Sequence, residues 1–196
     1  MNQTLQNSLK NVWRILKKTY DQAEDAPAKL CYFAGMPWTM LTRARTYGIE
    51  IFQTDERILL INEGMDLVRH IRLNEAQVPA GFISSNQGYS LAKWQNKTLA
   101  ISTTNITPTY DINPKMRSEE AKITETWRKY NHEKYGEVIE INLIVDDPQI
   151  YKVPAKARQL LQRAPEGTVL NGYDCANALW EDYIDKRTEE IEQQQQ

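Results

Sequence analysis

The sequence predicts a mainly β fold, an antiparallel up-and-down β-barrel of about eight strands with an α-helix at each end. Three observations support this prediction. Between Ile49 and Leu170, apolar and polar residues alternate in short runs, which is typical of strands that bury one face. Turn residues separate the runs at short intervals, which favours tight connections. Outside this region, apolar residues instead recur at helical spacing.

The N-terminal part of the chain is predicted to form a helix and then a plug. Residues 1–25 carry apolar residues at helical spacing, and Pro27 disfavours helical geometry at the residue before it. The following segment, Cys31 to Met40, is apolar but is interrupted by Gly35 and Pro37. We therefore expect an irregular plug that lies over the core and would close one end of any cavity.

The strands follow in quick succession, mostly joined by tight turns. A meander of this kind has two exposed edges, and closure into a barrel removes both. A barrel of this size either fills with side chains or holds one small ligand. The last predicted strand also fits a short helix. The eight segments are 48–53, 57–62, 66–73, 89–95, 97–103, 121–130, 138–145 and 157–163.

The C-terminal part is predicted to be helical again. Residues 176–192 have apolar side chains at helical spacing, and the glutamines at 193–196 are predicted to be a disordered tail. A length of 196 residues suits one domain. We therefore predict a single domain over residues 1–196, with the barrel in residues 30–170.

Composition excludes several classes of partner. Lysine and arginine number 24 against 26 acidic residues, a formal net charge of −2, so no basic excess attracts nucleic acid or anionic lipid. No apolar run is long enough to span a membrane. The polar N-terminus lacks a secretory signal, so the protein is either cytoplasmic or exported with its signal removed, and the sequence leaves both open. The sequence has no phosphate-binding glycine loop and no metal-ligand cluster, so no cofactor or metal is expected.

The two cysteines, Cys31 and Cys175, lie near opposite ends of the predicted barrel region. A disulfide between them would close a loop of roughly 145 residues and stabilise the fold by about 2–4 kcal/mol. The alternative is two buried free thiols. The sequence leaves both open.

The segments Gly88 to Ser90 and Trp94 to Asn105 are similar to the pattern G-H-S-x-G-x-W-E-G-D-T-L-V-V-x-T-T-x-F. This pattern belongs to a family of uncharacterised, mostly exported bacterial proteins. The resemblance covers roughly residues 31–177 and implies an exported, lipocalin-like (calycin-like) β-barrel domain. Further similar segments, in the family's order, are 31–37, 48–54, 117–119, 124–127, 147–154 and 173–177.

This chain also departs from the family pattern. Tyr89 and Arg117 stand where the pattern has histidines, and the turn Trp94 to Lys97 replaces W-E-G-D. If those histidines carry chemistry or bind a metal in the relatives, that capacity is absent or altered here.

His70 and the arginines beside it are candidates for acid–base and binding roles. His70 would move protons if it pointed into the barrel beside Tyr89; an exposed or hydrogen-bonded imidazole is the alternative. Arg69 and Arg72 point to opposite faces of their strand, so either could face inward and bind a carboxylate through its planar fork of donors. The alternative is an arginine on the outer wall, paired with a residue such as Glu75.

The first hypothesis for function is a β-barrel that binds a small apolar or aromatic molecule. The chain has five tryptophans and ten tyrosines, and aromatic walls suit such a pocket, although they equally suit a packed core. The candidate ligand-binding residues are Trp38, Phe52, His70, Arg72, Tyr89, Trp94 and Trp127.

Two alternatives remain open at this point. The first is a cavity enzyme of the isomerase, cyclase or hydrolase type, with His70 as acid or base and Tyr89 or Arg72 polarising an oxygen. The second is a protein-interaction domain with a solid barrel. A homo-oligomer is compatible with all three hypotheses.

Overall fold

The computed structural model describes residues 35–41, 47–108, 117–173 and 186. Those up to Gly172 belong to one compact unit, Ala34–Gly172. Both predicted terminal helices, the glutamine tail and the two cysteines lie outside the described residues, apart from Lys186. The single-domain organisation and the disulfide therefore stay predictions.

The described residues form a mainly β fold in which eight strands make one sheet, in sequence order. Every strand boundary lies within two residues of its predicted position, and the last segment is a strand rather than a helix. The strands are β1 (Ile49–Gln53), β2 (Arg57–Asn62), β3 (Leu67–Arg72), β4 (Tyr89–Gln95), β5 (Thr98–Thr104), β6 (Lys122–His132), β7 (Gly136–Asp146) and β8 (Ala155–Gln162).

The connection between β3 and β4 departs from the predicted up-and-down topology. These two strands are parallel, and they pair only at Ile71 with Ser90 and at Arg72 with Leu91. All other neighbouring strands are antiparallel. The predicted wholly antiparallel meander is therefore wrong at this step. Parallel pairing is possible here because residues 73–88 are numerous enough to form the crossover that it requires.

The sheet curls into a half-barrel with β1 and β8 at its edges. Alternate residues of the strands face the concave side and pack there with Met36 and Met40, which are 0% and 1% exposed. Met40 lies on the short helix α1 (Trp38–Leu41). The described part of the predicted plug therefore lies over the core, since both methionines belong to it, but residues 38–41 are helical rather than irregular.

Candidate functional site

Strand β3 places Arg69 on the concave side and His70 on the convex side. Arg69 and Ile71 are buried, whereas Val68 and His70 are exposed. The sequence left this orientation open because each face of β3 has an apolar residue, Val68 on one face and Ile71 on the other. His70 therefore does not point into the barrel, which was the condition for its predicted role there.

Arg69 lies at the centre of a buried polar network. Its Nη1 and Nη2 donate to Oε2 and Oε1 of Glu125 at 3.1 and 2.5 Å. Ser90 Oγ accepts from Nε and Nη2 at 3.3 and 3.1 Å, and Thr103 Oγ1 accepts from Nη2 at 3.1 Å. The Trp127 indole N–H donates to Glu125 Oε2 at 3.0 Å. The inward arginine is therefore bound by the protein itself.

The Arg69–Glu125 pair depends on the curl of the sheet. Arg69 lies on β3 and Glu125 on β6, three strands away. Neighbouring strands are about 4.8 Å apart, so a flat sheet would separate these backbones by about 14 Å. Both side chains are almost completely buried, with 1% and 0% exposed. The pair can form because the concave side brings β3 and β6 to face each other.

Arg72 and Tyr89 contact each other beneath the crossover segment. The Arg72 guanidinium lies 3.8 Å from the centre of the Tyr89 ring, and its Nε lies 3.5 Å from a Glu75 oxygen. The Tyr89 hydroxyl donates to Glu75, and the Phe82 ring packs edge-on against Tyr89. Burial raises the pKa of Tyr89, and the bond to Glu75 raises it further. These contacts hold residues 73–88 against β4.

His70 lies on the exposed convex surface, in register with Leu59 and Phe52 of the two preceding strands. Partial burial lowers the pKa of His70 below its ordinary value of 6.5, and the charges of Arg72 and Arg57 lower it further. A depressed pKa means that the unfolded chain binds the proton more tightly. Neutral His70 therefore supports the folded state above about pH 6.5, and this contribution is lost as the pH falls.

This pKa can be measured by NMR titration of the His70 ring protons. We expect an apparent pKa below 6.5 in the natural protein. In the Arg57→Gln variant we expect it to rise only part of the way, because burial and Arg72 still act on the ring. A pKa of 6.5 or higher in the natural protein would contradict this account of its surroundings.

An open cleft of about 550 Å³ lies where β3 and β4 separate. After β3, the Leu73 N–H donates to the Glu56 carbonyl at 2.8 Å, and Asn74 Nδ2 donates to the Asp55 carbonyl at 2.8 Å. These bonds hold the chain against the β1–β2 turn, while β4 continues along β5. The cleft is lined by Gln53, Thr54, Asp55, Leu73, Asn74, Glu75, Ala76, Lys93 and Trp94.

Trp94 is the predicted ligand-binding residue that lines this cleft. Its side chain is 51% exposed. It also lines a second open cleft, of about 450 Å³, together with Lys97, Lys129, Tyr130, Asn131 and Glu137. Among the described residues, Lys93 and Lys97 beside it form no ion pair. An exposed indole between two clefts offers a flat surface on which a planar ring can stack.

The other predicted ligand-binding residues do not gather at this cleft. Trp127 is 5% exposed in the core, and Phe52 is 47% exposed on the convex face. Trp38 is half-buried on α1. The structure thus brings Arg72 and Tyr89 together but leaves the full set dispersed.

Several residues from the family-like segments form buried polar contacts. Ser90, Thr103 and Glu125 belong to the Arg69 network. In a second cluster, Ser118 donates through its backbone N–H and its hydroxyl to Asp147 at 2.6 and 2.7 Å. Within the described chain, these residues hold strands and turns in place rather than line the two clefts.

Comparisons of the chain with protein-family models, with curated proteins and with solved structures found no match. Within the described ranges, no helix is long and apolar enough to cross a membrane. The same ranges contain no group of three or more histidine, cysteine, aspartate or glutamate side chains placed to hold a metal ion.

Proposed function

We propose that the protein binds a small aromatic ligand in the cleft between β3 and β4, with Trp94 as the stacking surface. The observation that carries the proposal is the 51% exposed indole at the wall of a 550 Å³ cleft. Ligand pockets commonly have volumes of about 300–1,000 Å³. Polar side chains of both walls, Lys93 beside Trp94 and Asn74 opposite it, would orient the ligand.

The resemblance to a bacterial family implies a lipocalin-like domain but names no activity. Eight-stranded barrels of that kind either fill with side chains or hold one small ligand. The proposed site differs from the interior of such a barrel, because it lies at a gap in the sheet between β3 and β4. The concave side already contains the core and the Arg69 network.

Soluble aromatic fragments, screened by saturation-transfer NMR, test the proposal. We expect fragments that bind the natural protein to lose about tenfold in affinity in Trp94→Ala, since aromatic residues dominate such contacts. Phe52→Ala is the matched control, because Phe52 is similarly exposed at 47% but lines neither cleft. The proposal fails if no fragment binds, or if both variants weaken binding equally.

The two alternatives have less support. His70, the residue predicted as acid or base, lines neither cleft. Protein binding has one observation in its favour: Phe52 and Val68, 47% and 43% exposed, both lie on the convex face. Absence of any bound fragment would favour that second alternative.

A further inference from the structure

We infer that the ligand of the cleft is a short extended peptide that adds as a strand to the free edge of β4, the part of the strand after Leu91 that pairs with no described residue on its β3 side. This inference rests on the proposed function, because it assigns a chemical class to the ligand of the same cleft.

Strand β4 is paired unequally on its two sides. On one side, β4 pairs with β5 along its whole length, from Tyr89 to Gln95. On the other side, it pairs with β3 only at Ser90 and Leu91. In an antiparallel pair, every second residue directs its N–H and C=O away from the partner strand. Between Ala92 and Gln95, β4 therefore presents backbone donors and acceptors on the β3 side.

This edge of β4 lies at the cleft. Lys93 and Trp94 from β4 form one wall, and residues 73–76 form the opposite wall. Backbone groups at a strand edge pair with an extended peptide, whose main chain supplies affinity while its side chains supply specificity. Four residues at about 3.3 Å each give an edge of about 13 Å, which matches three or four residues of peptide.

The opposite wall of the cleft is fixed before any ligand binds. Leu73 and Asn74 are bonded to the β1–β2 turn at 2.8 Å. Glu75 contacts Arg72 and accepts a hydrogen bond from Tyr89. Because this edge faces a fixed wall across the cleft, we expect the cleft to take one extended chain. A second copy of this sheet would need open space beside the edge, so a peptide is the better occupant.

The side chains of β4 add a preference within this class. Trp94 lies at the end of the free edge with half of its surface exposed. Successive residues of an added strand point to opposite faces, so one aromatic side chain of the peptide can stack on the indole. The expected ligand is thus an extended peptide with an aromatic residue.

The test uses the peptide acetyl-Ala-Tyr-Ala-Tyr-amide, its four singly N-methylated forms, and p-cresol as the side-chain analogue without amides. Binding to the full chain is measured by calorimetry, and the site is located from the backbone amide NMR shifts of Ala92 to Gln95. N-methylation removes one hydrogen-bond donor. Because only alternate peptide residues face β4, we expect about a tenfold loss of affinity for one alternating pair of positions and little change for the other.

The outcomes separate this inference from the proposed function. Both are supported if N-methylation weakens binding at alternate peptide positions, if the amide shifts of β4 change on binding, and if Trp94→Ala loses binding. If p-cresol binds beside Trp94 as tightly as the peptide, or if all four N-methylated forms bind equally well, the inference is wrong while the proposed function stands. If neither probe nor any aromatic fragment binds, both are wrong.

Discussion

Replacing Arg69 with methionine is expected to lower the free energy of unfolding by about 3–5 kcal/mol. The substitution keeps most of the side-chain length but leaves the Glu125 carboxylate, which is 0% exposed, without its counter-charge. A buried charge that loses its partner costs far more than the pair contributes. Urea unfolding, followed by far-ultraviolet circular dichroism, measures the difference.

Arg158→Met provides the matched control for this experiment. Arg158 lowers the pKa of Glu140 to about 2, with help from Asn142, but the arginine side chain is 59% exposed. Solvent screens such a pair, so the expected loss is at most about 1 kcal/mol. The double variant Arg69→Met with Glu125→Leu should recover most of the stability, because no unpaired charge remains. Equal losses in Arg69→Met and Arg158→Met would show that the buried pair has no special role.

Replacing Gly35 with alanine is expected to cost about 2–5 kcal/mol. Gly35 has a φ of +70°, where a side chain costs about 1–2 kcal/mol. An added Cβ would also lie 1.9 Å from the Asn86 carbonyl oxygen, and such overlap costs about 1–3 kcal/mol more. The segment has little room to move, because the Met36 N–H donates to the same carbonyl at 2.8 Å. Thermal and urea unfolding both report this loss.

Gly81→Ala separates the two contributions. Gly81 has a φ of +80°, but nothing lies within 4 Å of its added Cβ. Only the backbone cost of about 1–2 kcal/mol is expected there. Equal effects at the two glycines would mean that the plug does not pack against Asn86 as described.

The strands could be predicted from the sequence because each buries one face. Burial of one face makes apolar and polar residues alternate along the strand. The predicted and observed strand bounds agree even for β6 and β7, where the structure extends the hairpin to the pair His132–Gly136. The short turns between most strands also fixed their order.

The parallel step from β3 to β4 could not be predicted in this way. Alternation shows that a segment is a strand, but it does not show which strand becomes its neighbour. The ion pair could not be predicted either, because Arg69 and Glu125 are 56 residues apart in the sequence. The residues of β3 alone also did not show which of its two faces turns inward. Residue type also failed to distinguish Trp94, which is exposed, from Trp127, which is buried. The cleft itself arises from missing strand pairs, and the sequence pattern carries no signal for those.

The buried ion pair has a consequence for how the native sheet opens. In most sheets a strand interacts mainly with its two neighbours, so local opening events at distant strands are independent. Here Arg69 connects β3 to β6 directly. Its hydrogen bonds to Ser90 on β4 and Thr103 on β5 include the two intervening strands in the same network. Amide hydrogens of these four strands should therefore exchange with solvent as one cooperative unit. In Arg69→Met, β3 should exchange separately from the other three.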